Sequence, residues 1–136
     1  MSTVPNPATP TGGEFAATPL KLKPASPLAA PLSVEDLITL NEEIASMAKA
    51  GLPLDQGLAL VARELGAGQL RKVTQKLADD LRAGLSLPDA LKNQEKHIPE
   101  YYAALVTAGI RSGRLHEVLS TVTIYARTAA DFRSNI

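Results

Sequence analysis

Few side chains in this 136-residue sequence carry reactive groups at spacings that chemistry uses. Ser112 between Gly109 and Gly113 has the look of a hydrolase nucleophile turn. Such a turn needs a glycine two residues to either side of the serine, after a strand. Here the glycines stand three before and one after, in a stretch that reads as two helices. Gly66-Ala67-Gly68 opens like a dinucleotide-binding loop, but Arg71 takes the place of the third glycine and no strand precedes it. His97 and His116 are the only histidines, and neither has a second histidine one helical turn on, so no zinc pair is written. Asp79 and Asp80 are adjacent, so on a helix they diverge and read as a solvated face rather than an acid–base pair. There is no cysteine, which excludes disulfides and thiolate metal sites and fits a reducing cytoplasm. These residues assign no catalytic group, no metal ligand and no cofactor. The chain reads as non-enzymatic, with its function in surfaces.

The charge pattern is equally sparing. Fourteen basic and fourteen acidic residues cancel, against a general nucleic-acid or anionic-membrane binder. The stretch from Ala62 to Val73 resembles a helix-turn-helix, with Gln69, Arg71, Lys72 and Gln75 on the would-be reading helix. However, Val73 falls one position late for that pattern, and Asp79 and Asp80 follow.

The elements that would position any surface are marked by a phrase used twice and echoed once. It reads Ala50-Gly51-Leu52-Pro53-Leu54-Asp55-Gln56-Gly57-Leu58, then Ala83-Gly84-Leu85-Ser86-Leu87-Pro88-Asp89-Ala90-Leu91, then Ser112-Gly113-Arg114-Leu115-His116-Glu117-Val118-Leu119. In each copy a helix stops on glycine and another starts almost at once, twice with proline at its first turn. Turns this short join helices that pack back on each other.

Six helices follow. The first is capped by Ser33 and buries Leu37, Leu40, Ile44, Met47 and Ala48 before Gly51 ends it. The second starts at Pro53, buries Leu54, Leu58, Val61, Ala62 and Leu65, and ends at Gly66, with Gly57 marking a close helix contact. The third runs from about Gln69 to Ala83, with Leu70, Val73, Leu77 and Leu81 inward and its charges outward. The fourth is short, capped by Ser86 with Asp89 three residues on. A polar loop, Lys92 to His97, precedes the fifth, which starts at Pro99, faces Tyr102, Leu105, Val106 and Gly109 inward, and ends at Gly113. The sixth carries Leu115, Val118, Leu119, Val122, Ala126 and Ala129. No stretch alternates with period two, so the expected fold is all-α, a compact bundle of about six antiparallel helices over 33–136.

Ahead of it, seven of the ten prolines fall within the first 31 residues, beside Gly12-Gly13 and few large apolar residues. Residues 1–32 therefore read as a disordered Pro-rich tail. It has neither the basic start nor the apolar run of a signal peptide, and nothing in the chain approaches the roughly 18 apolar residues of a membrane span. The 33-residue spacing from Gly51 to Gly84 is close to that of tetratricopeptide repeats, so a helical-repeat protein–protein adaptor stays open beside the bundle, as does a helix-turn-helix DNA-binding regulator.

Four of these stretches, in order, resemble the F domain of type II secretion, found in inner-membrane platform proteins of type II secretion systems and type IV pili. They are Ala50-Gly51-Leu52-Pro53-Leu54; Gly84-Leu85-Ser86-Leu87-Pro88-Asp89-Ala90-Leu91; Ile98-Pro99 with Tyr101-Tyr102; and Ala108-Gly109-Ile110-Arg111-Ser112-Gly113-Arg114-Leu115 with Val118-Leu119. The resemblance covers about Val34 to Ala130. Three departures stand out. Ile110 replaces a usual Glu, Leu40 a usual Phe, and Glu42-Glu43 stand where Arg and Gln are common.

The resemblance implies a six-helix bundle acting as a non-enzymatic scaffold on the cytoplasmic face of a bacterial inner membrane. It implies as partners the secretion or pilus assembly ATPase and other platform components, a possible homodimer, no nucleic acid, and contact with the membrane only through a following span. The stretch Tyr125 to Ile136 resembles the juxtamembrane end of the last helix. The structural turn residues are Gly51, Pro53, Gly84, Ser86, Pro99, Gly109 and Gly113. The candidate partner surface is Glu42 and Glu43 with Arg71, Lys72 and Lys76.

Overall fold

The computed structural model describes residues 31–134, with side chains to Thr128. The first 30 positions of the expected tail, and the side chain of Ala129, lie outside the described residues. Six helices follow one another: α1 Val34–Ala50, α2 Leu54–Glu64, α3 Gln69–Arg82, α4 Leu87–Lys92, α5 Glu100–Ser112 and α6 Leu115–Ser134. The fold is all-α, with no strand among the described residues.

Each helix packs on the next along the chain, and α6 returns to pack on α1. That return closes the bundle, where a helical-repeat protein would leave an open superhelix. The core is aliphatic: Leu40, Ile44, Leu58, Val73, Leu77, Leu91, Ile98, Val106 and Leu119 are essentially removed from solvent, with Tyr102 the one large aromatic among them. Each such side chain contributes about 1.5–3 kcal/mol when buried.

Local chemistry sets the helix ends. The Ser33 hydroxyl accepts from the Asp36 N–H at 3.0 Å, and the Ser86 hydroxyl from the Asp89 N–H at 3.2 Å. Gly51 and Gly113 end α1 and α5 with φ of 70° and 73°, a left-handed backbone that glycine adopts without a side-chain clash. Their turns close with hydrogen bonds from Leu52 N to Met47 O and from Arg114 N to Gly109 O.

Three details depart from the sequence pattern. First, α2 stops at Glu64, not Gly66: Leu65 swings into extended backbone at ψ 146°, and the unusual backbone of this turn falls on Gly68 (φ 154°). Second, the stretch after Lys92 is more than a polar loop. Successive turns bury Gln94, and Asn93 donates to Asp80 at 3.2 Å. Third, Leu32, assigned by its sequence to the tail, belongs to the bundle: its N–H donates to the His97 carbonyl at 2.8 Å, and it packs against the core.

Candidate functional site

Ser112, Asp79, Asp80 and His97 are occupied with structure, while the buried Nδ1 of His116 has no hydrogen-bond partner. The Ser112 hydroxyl donates to the Gly109 carbonyl at 3.2 Å inside α5. Asp79 accepts from Gln75, and Asp80 accepts from Asn93 and faces Lys76 at 3.7 Å. Gln69 Nε2 donates to His97 Nδ1 at 2.6 Å, so a residue of the would-be DNA-reading helix is tied to the chain before α5. Among the described residues no group of His, Asp and Glu could hold a metal ion.

The turn residues keep distinct roles. Gly51, Gly84 and Gly113 take positive φ, Ser86 caps α4, and Pro53 and Pro99 stand at the N-caps of α2 and α5 without a side-chain bond. Gly109 is not in a turn. It lies buried in α5, where a β-carbon would sit 2.9 Å from Leu115 Cα, so it sets how closely α5 and α6 approach.

The five charged candidates stand on two helices, α1 and α3. Glu42 on α1 meets Arg127 of α6 at 2.6 Å, and Glu43 is half-buried beside it in sequence. Arg71, Lys72 and Lys76 instead share a shallow depression on α3 with Ala67, Gly68 and Asp79.

Two concave surfaces were not foreseen. One is an apolar groove of about 620 Å³ walled by Val34 and Leu37 of α1, Tyr101 and Leu105 of α5, and Val122 and Tyr125 of α6. The other, about 650 Å³, lies where the two glycine-ended turns meet, between Leu52 on one side and Ile110 and His116 on the other. Their signal in the sequence was faint. The buried stripe of each helix is easy to read, but which apolar residues stay uncovered depends on how helices distant in sequence pack.

A polar cluster at the bundle's centre was also missed. Asn41 accepts from the Tyr102 hydroxyl at 2.6 Å and donates to the Leu119 carbonyl at 2.8 Å and to the Thr123 hydroxyl, joining α1, α5 and α6. Asn41 lies one turn from both Leu37 and Ala45, on the buried face of α1, and that position was its only signal.

Comparison with known proteins gives this closed bundle its context. The sequence model for "Type II secretion system (T2SS), protein F" matches residues 42–136, most of the chain and five whole helices. The chain belongs to the type II secretion protein F family. Its relatives include the type IV pilus assembly protein TapC of Aeromonas hydrophila, 29% identical over 101 residues, covering 74% of this chain and 24% of TapC. The protein transport protein HofC homolog of Escherichia coli is 33% identical over 100 residues, covering 74% and 25%. The type II secretion system protein F of Vibrio cholerae is 27% identical over 105 residues, covering 77% and 26%. The chain thus spans about a quarter of the length of the relatives it matches. No helix among the described residues is long and apolar enough to cross a membrane.

Proposed function

We propose that this F-family bundle is a non-enzymatic scaffold of a type II secretion or type IV pilus platform. It would stand at the cytoplasmic face of a bacterial inner membrane. Its partners would be the assembly ATPase and other platform components, and its task to couple the ATPase to the growing pilus or pseudopilus. The observation that carries this reading is the family match over 42–136, which spans the closed bundle rather than a single turn. The polar side chains that sequence reading singled out are engaged separately: Ser112 with a carbonyl of its own helix, Asp79 with Gln75, Asp80 with Asn93 and Lys76, and His97 with Gln69.

The test is direct. The chain, immobilised, should retain the purified assembly ATPase of its own organism. Deletion of its gene should abolish secretion or piliation, and the intact gene should restore it. A deletion strain that secretes and piliates normally would sink the proposal.

A further inference from the structure

We propose that the outer face of the α2–α3 pair is a docking site for an acidic segment of a partner protein, with Leu60 as its apolar contact. This deepens the scaffold reading and rests on it, since it names the chemistry by which that scaffold would hold a partner.

The first observation is how charge is sorted. The two helices carry five basic residues, Arg63, Arg71, Lys72, Lys76 and Arg82, and four acidic ones, Asp55, Glu64, Asp79 and Asp80. Two shallow depressions of about 530 and 420 Å³ adjoin here, for Gln75 lines both. All five bases line them, but of the acids only Asp79 does. The five bases are exposed. Arg63, Arg71, Lys72 and Arg82 have no ion-pair partner among the described residues, and Lys76 faces Asp80 at 3.7 Å. The lining thus sets five positive charges against one negative, in a chain whose total is zero. Such a face selects the sign of its partner and speeds the approach.

The second observation is that this charge works against the helix bearing it. The other five helices each place an acid in the first turn. In α3 there is none, and Arg71 and Lys72 stand at its positive end, where the helix's own field disfavours cations. Packing gives no reason for them, since the buried residues of α3 are Val73, Thr74, Leu77 and Ala78. An anion from a partner would offset the repulsion.

The third observation selects a protein among anions. Asp79 stands among the bases and accepts from Gln75 Nε2 at 3.0 Å. Leu60, 56% exposed, lines one depression together with Arg63 and Arg82. A phosphodiester backbone is repelled by that carboxylate and brings nothing apolar to Leu60. A membrane surface is gripped by a whole apolar helix face, whereas Leu60 is the one large apolar residue exposed on either helix. An acidic protein segment brings carboxylates, which guanidinium groups bind through paired N–H bonds. It also brings an N–H for Asp79 and an apolar side chain for Leu60.

The experiment follows amide NMR spectra of the whole chain with four probes. They are a helical peptide of about four turns with glutamates beside a leucine stripe, the same peptide with lysines for glutamates, duplex DNA, and phosphatidylserine vesicles. The glutamate peptide should shift the signals of Leu60, Gln75 and Arg82 and bind at least about tenfold tighter than the lysine peptide. Arg71→Glu with Lys72→Glu should weaken it at least about tenfold, and Leu60→Ser at least about threefold. The double variant puts acids at the start of α3, so its thermal midpoint should hold or rise, which separates lost binding from lost folding. Equal binding of the lysine peptide, no binding at all, unchanged affinity in either variant, or tighter binding of DNA or vesicles at this face would overturn the proposal. Complementation separates it from the scaffold reading. In the deletion strain, the gene carrying Arg71→Glu and Lys72→Glu should fail to restore secretion or piliation. If it restores them as fully as the intact gene, docking at this face falls and the scaffold stands. If deletion itself leaves both intact, the scaffold falls, while peptide binding that is lost in the double variant still upholds the site.

Discussion

The Tyr102 hydroxyl donates to Asn41 Oδ1 at 2.6 Å within a core built mainly of aliphatic side chains. Through the Asn41 amide the contact extends to the Leu119 carbonyl and the Thr123 hydroxyl. One asparagine thereby fixes the relative register of three helices that are far apart in sequence.

Breaking either half should cost the fold. Tyr102→Phe leaves the Asn41 carbonyl without its donor, and Asn41→Leu leaves the phenol without an acceptor, each losing about 1–3 kcal/mol. The double variant should lose less than the sum of the two, because it removes both members of the pair, with a coupling of about 0.5–3 kcal/mol. Urea unfolding of the four proteins measures this. Strict additivity would mean that the hydrogen bond contributes nothing.

Alkaline pH should weaken the same contact. Burial, with the neighbouring Tyr101 adding to it, holds the Tyr102 phenol above its ordinary ionisation range. In the unfolded chain a tyrosine loses its proton near pH 10. The unfolded state therefore releases this proton first. The stabilisation from Tyr102 is complete below that pH, and it falls by about 1.4 kcal/mol per pH unit above it until the folded form also ionises. Tyr102→Phe should show a shallower decline of the urea midpoint between about pH 9 and 11. Parallel declines would contradict the assignment.

Much of this architecture was legible in the sequence, because helix stripes and glycine stops are local signals. Ser33, Gly51, Ser86 and Gly113 act through neighbours within five residues, so their chemistry could be read from the chain alone. Asn41 could not be read the same way: a polar residue on an apolar face makes sense only once Tyr102 and Leu119 arrive from 61 and 78 positions away. The surroundings of the charged candidates also depend on helices distant in sequence. Glu42 pairs with Arg127, 85 positions away on α6, and the exposed apolar residues Leu52 and Ile110 of one depression are 58 positions apart.

The two interior helix glycines should respond differently to alanine. At Gly109 the new β-carbon would meet Leu115 Cα at 2.9 Å, and backbone there cannot move without parting α5 from α6. Gly109→Ala should therefore lose about 1–3 kcal/mol from overpacking, more than the roughly 1 kcal/mol that alanine gains in helix propensity. At Gly57 the nearest atom is Met47 Sδ at 2.6 Å, near the end of a flexible side chain that can swing aside. Gly57→Ala should be close to neutral. Thermal melts of the two variants decide the matter, and equal losses would show that Met47 is as confined as the backbone.

The helix-ending glycines give the last comparison, between a position where the fold demands glycine and one where it does not. Gly51 and Gly113 hold φ of 70° and 73°, so alanine at either is strained even though nothing lies within 4 Å of the new β-carbon. Each substitution should lose about 1–2 kcal/mol, the difference between the left-handed and ordinary backbone for a residue with a side chain. Gly66 looks the same in the sequence, following a helix and preceding another, but its φ is not positive and its β-carbon would also meet open space. Gly66→Ala should therefore stabilise the bundle by about 0.4–1 kcal/mol, because it narrows only the unfolded ensemble. Urea midpoints that fall for the first two variants and rise for the third would confirm that α2 ends by extending at Leu65. A loss at Gly66 equal to that at Gly51 would restore the glycine stop.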